Sequence, residues 1–292
     1  MENLNDWIKA GKIAAEVLNY SKELIKEGAS LLEVCSKIEK KINDLDGKPA
    51  FPVNISINSV AAHYTAIPED KTIFRKGDMI KVDIGVEVNG FIGDNSLTIY
   101  LGDEEKYLDL VKASKEALEA AVKVIKPGIK LFEIGKVIQK EIQKYNFSPI
   151  RNLSGHGIER YKIHSGINIP NYDNGDKREL KENDIIAIEP FATDGKGYVI
   201  EGKLSGIFRL ENKKPVRDSN ARKVLDYIEK NHKTLPFAKR WIQLPMANLA
   251  LTILEREGIL YQYPQLVEEN KGFVSQAEYT VLVKDPPIIL TK

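Results

Sequence analysis

An internal repeat constrains the fold of this chain more than any other feature of its sequence. Residues 25–42 (IKEGASLLEVCSKIEKKI) align without gaps on residues 125–142 (IKPGIKLFEIGKVIQKEI), and eight of the eighteen positions are identical. An apolar pattern with helical period precedes each copy, over residues 7–25 and 107–125. The repeat therefore predicts two related helical units, and a chance likeness between lysine-rich amphipathic helices is the alternative.

Both copies carry signals for helix ends. Gly28 and Gly128 occupy matching positions and predict stops, while Ser30 and Glu33 predict a capping box for the next helix. Turn-rich segments with β character follow each helix pair, at residues 51–59, 79–101, 152–169, 185–191 and 276–283. Two α-α-β units predict an α+β domain with pseudo-twofold symmetry, in which helices pack on a mainly antiparallel sheet.

Residues 211–262 carry mainly helix signals in their sequence, unlike the strand-rich segments on either side. Three helices are predicted there: one capped by Ser219 and running to about Asn231, one from Pro236 to Trp241, and one from Met246 to Glu257, ended by Gly258. The β pattern is expected to resume near Phe273. We therefore predict a helical insertion at 211–262 within a catalytic domain formed by residues 1–210 and 263–292.

Bulk properties exclude several classes of function. The 292 residues include 43 basic and 42 acidic ones, so no field of one sign favours nucleic acid or an anionic membrane as a partner. Apolar stretches such as 246–254 are far shorter than the roughly 20 residues that span a bilayer, and residues 1–12 show no export signal. The only cysteine, Cys35, excludes an intramolecular disulfide, fits a reducing cytoplasm and is expected to pack in the core. His232, beside Lys233, is expected at the surface.

The sharpest local signal is the run MIKVDIGVEVNGFIGDNSLTIYL at residues 79–101. Two β-like runs flank Asn89 and Gly90, the dipeptide best suited to a two-residue type I′ hairpin turn. Such a turn sets the register of the hairpin.

In this register Gly85 pairs with Asp94 and Asp83 pairs with Ser96. Asp83 and Asp94 then share one face as diagonal neighbours, about 7–8 Å apart. A β-bulge would place them on opposite faces instead.

Two aspartates on one face of otherwise apolar strands repel each other and are costly to desolvate. A pair of divalent ions, about 3.5–4 Å apart in dinuclear hydrolases, supplies compensating charge. A solvated sheet face is the alternative explanation.

Three candidate ligands lie in the second half. His156 has small neighbours (SGHG) that let a metal approach, Glu189 ends the apolar strand IIAIEP, and Glu278 lies within SQAEYTVLV. Each residue alone is more typical of a structural role. Together with the two aspartates they form a hard, oxygen-rich set, which suits a catalytic pair of Mn, Fe(II), Co or Zn ions better than a structural zinc.

At this point a family resemblance is visible. The segments that carry it are AAHYTA, KVDIGVEVNGFIGDNS, LSGHGIERYKIHSG, IIAIEPFAT and SQAEYTVLV. In their order and neighbours they resemble the signature segments of the type 2 methionine aminopeptidases, over nearly the whole chain. The resemblance implies the duplicated pita-bread fold with a curved sheet. The helical insertion resembles the one typical of type 2 enzymes, and the immediate start on the catalytic repeat resembles archaeal members.

The resemblance also implies a set of metal ligands. Asp83 would bind one ion bidentately, Asp94 and Glu278 would bridge both ions, and His156 and Glu189 would complete the second ion's shell. Two divalent ions per chain (Co, Mn, Fe(II), Zn or Ni) are thus expected, and Glu189 is also a candidate general base.

Other family positions match residues around the substrate. His63 and His164 match two histidines that do not bind metal but hydrogen-bond the substrate and stabilise the tetrahedral intermediate. Phe51, Ile163 and Tyr263 match positions that line the methionine pocket.

The implied activity is hydrolysis of the initiator methionine from nascent proteins with a small second residue. The resemblance implies a cytoplasmic monomer that acts on nascent polypeptide N-termini, with the ribosome as a candidate partner and neither a membrane nor a specific nucleic acid. Two alternatives stay open. One is an Xaa-Pro peptidase of the same fold, although such enzymes usually carry a large N-terminal domain. The other is a non-catalytic relative that binds RNA or ribosomes, although such relatives typically lose metal ligands.

Overall fold

The structure, a computed structural model, describes residues 3–292. The helices are α1 (Leu4–Leu24), α2 (Leu31–Asp44), α3 (Glu105–Val124), α4 (Leu131–Lys144), α5 (Ser219–Asn231) and α6 (Ala247–Arg256), with one turn of 3-10 helix at Lys239–Trp241. Within residues 3–292, none of these helices combines the length and apolar character needed to cross a membrane.

The strands, in chain order, are β1 (Lys48–Pro49), β2 (Asn54–Ile57), β3 (Val60–Ala62), β4 (Met79–Val88), β5 (Phe91–Tyr100), β6 (Ser148–Pro149), β7 (Ser154–Glu159), β8 (Lys162–Pro170), β9 (Ile185–Ile188), β10 (Phe191–Thr193), β11 (Val199–Leu210), β12 (Phe237–Ala238), β13 (Leu260–Glu268), β14 (Val274–Gln276), β15 (Glu278–Leu282) and β16 (Ile288–Ile289). The strands that pair do so antiparallel, as the sequence predicts.

The repeat is visible in the structure. α2 and α4 each have 14 residues, and each is followed by a two-residue strand, β1 or β6. Gly28 and Gly128 have φ angles of 79° and 83°, which a residue with a side chain rarely adopts, so both turns between helices need glycine. The side chain of Ser30 accepts a hydrogen bond from the Glu33 backbone N–H, which is one half of the predicted capping box.

One large sheet runs in the order β1-β4-β5-β15-β9-β7-β8. In addition, β2 pairs with β4, and β16 pairs with β15. α1 and α2 bury their apolar faces in one core with β4, and α3 and α4 bury theirs in a second core with β9 and β15. Helices thus cover one face of the sheet. The opposite face is left for the polar residues described below.

The β4–β5 hairpin has the register that its turn predicts. Gly85 pairs with Asp94 and Asp83 with Ser96, and the pairing continues without a bulge from one end of the hairpin to the other. Asn89 and Gly90 both have positive φ, 53° and 89°, as a type I′ turn requires. Asp83 and Asp94 therefore share a face.

The segment from 211 to 262 has its own apolar core, and its role as an insertion stays a prediction. Three details of the prediction were wrong. Asp218, not Ser219, caps α5, accepting from Ala221 N–H at 2.8 Å. The predicted helix from Pro236 is mostly strand β12 and a single 3-10 turn, because Phe237 pairs with Phe208 of β11. The β pattern resumes at Leu260, not near Phe273, because β13 pairs along much of β11.

His232 is half-buried, whereas the prediction placed it at the surface. Its ring stacks on Phe237 and Trp241, with centroids 5.2 and 5.6 Å away, and meets Tyr227 edge-on. Its Nε2 is buried and has no hydrogen-bond partner within the described part of the chain. The imidazole thus packs as an aromatic side chain. Its sequence neighbour Lys233 did not predict this packing.

The pH dependence of stability tests this placement. Burial lowers the pKa of His232 to about 4, below the value of about 6.5 for an unfolded chain. The unfolded chain therefore binds the proton first, and stability from this group, full above pH 6.5, is lost as the pH falls towards 4. His232→Phe is expected to stabilise the protein by about 1 kcal/mol more at pH 5 than at pH 7.5, a value reduced for partial exposure. Urea denaturation followed by tryptophan fluorescence measures this, and an equal effect at both pH values would contradict the buried placement.

Candidate metal centre and substrate cleft

Sheet pairing brings the first three predicted ligands together. Ser96 pairs with Asp83 on one side and with Glu278 on the other, so these side chains form a row across β4, β5 and β15. Asp94 lies two residues from Ser96 and so points to the same face. Its backbone N–H and carbonyl both bond the Thr280 hydroxyl, at 2.7 and 2.8 Å, which locks β5 against β15.

The same face continues into the second half of the chain. Ala187 of β9 pairs with Thr280 and with His156, which places the imidazole two strands away from Glu278. Glu189 follows β9 directly, two residues after Ala187. All five predicted ligands therefore converge on one face of the sheet.

The distances describe a compact cluster. One donor atom each of Asp94, His156 and Glu278 lies within 4.8 Å of the others. His156 Nε2 is 3.5 Å from a Glu189 oxygen and 3.8 Å from an Asp94 oxygen. Asp83 joins the cluster through Gln276, whose Nε2 is 3.5 Å from an Asp83 oxygen.

Without a cation, the negative charges that the carboxyl groups of this cluster would carry are not compensated. Burial raises the pKa of Asp83 to about 7. Burial and neighbouring carboxylates raise the pKa values of Asp94, Glu189 and Glu278 well above their ordinary range. Burial lowers the pKa of His156 to about 3. Four acids and a neutral imidazole thus share a site in which the acids can all ionise only beside positive charge.

Two further observations fit a cation. Within residues 3–292, Asp83 Oδ1 and Asp94 Oδ1 are buried without a hydrogen-bond partner. His156 Nδ1 lies 3.3 Å from the Gly157 carbonyl, which requires a proton on that nitrogen and leaves the Nε2 lone pair facing the carboxylates. The donor set therefore suits a hard divalent cation.

Sequence reasoning missed Gln276. Its Nε2 lies 3.4–3.5 Å from carboxylate oxygens of Asp83, Glu189 and Glu278. A neutral amide at this point can donate to two of these carboxylates at a time without adding charge. The available signal was its position two residues before Glu278 in an otherwise apolar segment.

The two predicted non-ligand histidines lie beside the cluster. His164 meets the His156 ring edge-on with centroids 4.4 Å apart, and burial and Arg209 lower its pKa. The Nδ1 of His63 is 3.2 Å from the Pro264 carbonyl, and burial lowers the His63 pKa to about 4. His63 is therefore neutral at pH 7 with its proton on Nδ1, so its Nε2 can only accept a hydrogen bond.

A cavity of about 270 Å³ opens above the carboxylates. All the predicted site residues line it, including Phe51, Ile163 and Tyr263. Sequence reasoning did not assign the other ten lining residues to the cleft, which are Asn54, Ala62, Asn152, Leu153, Ser154, Asn168, Phe191, Ile207, Pro236 and Leu266. Most of these are apolar, and an apolar residue in a sequence carries no mark that separates a pocket wall from a core.

The glycines on either side of His156 were expected to let a metal approach, but they have another role. A Cβ on Gly155 or Gly157 would collide with the backbone carbonyls of Ala187 or Ser165, so these glycines allow close strand packing more than metal approach. A Cβ on Gly85, opposite Asp94, would collide with the ring of Phe51, so this glycine lets the ring pack against β4.

Gly85→Ala is expected to displace the Phe51 ring from the cleft wall. Overpacking of this kind costs about 1–3 kcal/mol, and the altered wall should raise KM for a methionyl peptide. Urea denaturation and steady-state kinetics measure the two effects. Adding Phe51→Leu to Gly85→Ala should recover much of the lost stability, and no recovery would show that the ring is not the obstacle.

Comparison with known proteins agrees with this geometry. Residues 7–218 match the family described as metallopeptidase family M24. The chain belongs to this family. M24 is a family of metallopeptidases, which implies divalent metal ions at the cluster described above.

Among relatives of this M24 chain, a protein named methionine aminopeptidase from Thermococcus onnurineus is 50% identical over 296 residues and covers 100% of both chains. A solved methionine aminopeptidase from Thermotoga maritima covers 100% of this chain and 98% of its own, with TM-score 0.73 and 24% identity. A thermophilic Arx1 structure has TM-score 0.87 and 17% identity, covering 98% and 90%. These structures confirm the pita-bread fold with its curved antiparallel sheet.

Proposed function

We propose that this chain is a metal-dependent aminopeptidase that removes the N-terminal methionine from new proteins with a small second residue. The observation that carries the proposal is the convergence of five ligand-type side chains on one sheet face below a largely apolar cleft. The proposed ligands of two divalent ions (Co, Mn, Fe(II), Zn or Ni) are Asp83, Asp94, His156, Glu189 and Glu278.

Paired divalent ions at this position would lower the pKa of a water molecule and polarise the scissile carbonyl. In the proposal, Asp94 and Glu278 would serve both ions, because they lie on adjacent strands near the middle of the cluster. Asp83 would hold one ion from β4. His156 and Glu189, from β7 and the end of β9, would hold the other.

The histidines divide the remaining work. Neutral His63 offers its Nε2 lone pair to an N–H of the substrate, since the Pro264 carbonyl holds its proton on the other nitrogen. The oxyanion that develops from the scissile carbonyl needs a hydrogen-bond donor. Such a donor lowers the activation free energy by about 3 kcal/mol. We assign that role to His164, which lies against His156. Glu189 would accept a proton from the attacking water and pass it to the leaving amine as the peptide bond breaks.

The cleft accounts for substrate choice in this proposal. Phe51, Ile163 and Tyr263 form apolar walls that fit an unbranched methionine side chain. A preference for a small second residue would follow from crowding around the next subsite. The substrates are nascent polypeptide N-termini in the cytoplasm, the active form is a monomer, and the ribosome is a candidate partner.

The test is hydrolysis of Met-Ala-Ser after chelation and readdition of single divalent ions. We expect chelation to abolish turnover and at least one of the five ions to restore it. N-acetyl-Met-Ala-Ser is the matched control, and it should resist cleavage because its amine is blocked. Faster cleavage of Xaa-Pro peptides would favour the prolyl peptidase alternative. No hydrolysis with any ion, despite bound metal, would favour the non-catalytic relative.

A further inference from the structure

One buried arginine ties the helical segment (residues 211–262) to the half of the chain that carries His63. Arg240 lies in the 3-10 turn, with a side chain only 8% exposed, and its Nη2 pairs with Glu39 of α2. Trp241 donates its Nε1–H to the other Glu39 oxygen at 2.9 Å. A charge pair this deep is favourable only when further hydrogen bonds complete it.

The Nη1 group of Arg240 holds the chain just after His63. Nη1 donates to Thr65 Oγ1 at 2.9 Å and to the Ala66 carbonyl at 2.8 Å. The Thr65 hydroxyl donates in turn to the Val53 carbonyl at 2.7 Å. One guanidinium therefore joins α2, the entry to β2 and the loop that carries His63.

His63 needs this support because of its backbone. Its φ angle is 59°, a left-handed conformation that costs a non-glycine residue of order 1 kcal/mol or more unless its surroundings hold it. β3 ends at Ala62, and residues 63–72 lie outside the helices and strands. Before His63 the chain is fixed by pairing of Ala62 with Leu266. After it, the Tyr64 carbonyl accepts from the Ile55 N–H at 2.7 Å, and Arg240 holds Thr65 and Ala66.

We propose that Arg240 is a positioning residue for His63, and that the helical segment braces the imidazole in the cleft through Thr65 and Ala66. The proposal rests on the proposed aminopeptidase function. Arg240 is outside the set of residues that line the cleft, so its effect on turnover passes through the loop. A displacement of about 1 Å near reacting groups can cost up to about 100-fold in rate. For Arg240→Met we expect about a 10-fold loss in kcat/KM, with bound metal unchanged.

A set of variants separates positioning from stability. Arg240→Met leaves Glu39 buried and unpaired, so it should destabilise the fold as well as slow turnover. Arg240→Met combined with Glu39→Gln removes both charges, keeps an amide oxygen as acceptor for the Trp241 Nε1–H, and should recover much of the stability but not the turnover. Arg240→Lys keeps the charge, but it lacks the fork that reaches Glu39 and Thr65 together, so it should restore turnover only in part.

A double-mutant cycle between Arg240 and His63 decides whether the arginine acts through the imidazole. If Arg240 acts through His63, Arg240→Met should change kcat/KM by less than about 2-fold in a His63→Ala background. A further 10-fold loss in that background would overturn the proposal. Unchanged kcat/KM in Arg240→Met itself would also overturn it, because the arginine would then be structural only.

Hydrogen exchange gives a readout that does not depend on activity. In metal-free protein, Arg240→Met should speed amide exchange at residues 63–66 and leave β5 unchanged. Thr234→Val is the matched control, since it breaks a different tie of the same segment, the hydroxyl bond to the Tyr161 carbonyl. Faster exchange at 63–66 in both variants would mean general loosening of the segment and would overturn the proposal. If wild type fails on Met-Ala-Ser, the exchange data still test the brace.

Discussion

Glu278→Gln and Asp94→Asn are each expected to reduce kcat on Met-Ala-Ser by about 1,000-fold. Each substitution replaces a proposed bridging carboxylate by an amide of the same shape, which removes one negative charge from between the two proposed ion positions. The fold should stay largely intact, because an amide is tolerated where burial already favours the neutral acid.

Steady-state kinetics, circular dichroism and metal analysis measure the outcome. Glu182→Gln is the matched control, since Glu182 is an exposed glutamate paired with Lys284 and should keep wild-type turnover. Retention of more than a tenth of wild-type activity by either bridging variant would contradict the assignment.

His63→Ala is expected to lower kcat/KM by about 100-fold while bound metal stays at the wild-type level. The loss follows from removal of an acceptor that the Pro264 carbonyl orients towards the cleft. His63→Gln keeps a carbonyl acceptor and should recover part of the activity. Metal content is measured after dialysis, and loss of metal in His63→Ala would instead make His63 a ligand.

The pH profile gives a check on the same residue. Burial lowers the His63 pKa to about 4, so His63 stays neutral over the usual assay range. It should therefore contribute no titration to kcat/KM between about pH 5.5 and 8. The ratio of wild-type to His63→Ala activity should be constant over that range.

Local chemistry in the sequence was enough to place the two aspartates. Asn89 and Gly90 fix a two-residue turn, and the turn fixes the register of Asp83 and Asp94 without reference to the rest of the chain. The same holds for the repeated helices, whose periodicity and glycine turns are contained in short segments.

Convergence of the other ligands could not be worked out from local patterns. β15 lies between β5 and β9 although it follows β9 by about 90 residues. Strand order of this kind depends on long-range pairing. Carboxylates within apolar strands made Glu278 and Glu189 candidate ligands, but no local pattern placed them beside the aspartates.

The errors have the same origin. Phe237 and Ala238 were assigned to a helix, but pairing with β11 outweighs their local preference. His232 was placed at the surface from its neighbours, but stacking on Phe237 and Trp241 leaves it half-buried. Arg240 looks like an ordinary surface residue in the sequence, because its partner Glu39 lies about 200 residues away.

The central claim is that four carboxylates and one imidazole hold two divalent ions under the cleft. A crystal structure from protein soaked in manganese or cobalt, with anomalous data at the metal edge, tests it most directly. The account predicts two peaks about 3.5–4 Å apart, both contacted by Asp94 and Glu278. Absence of a peak within bonding distance of these side chains, at saturating metal, would contradict it.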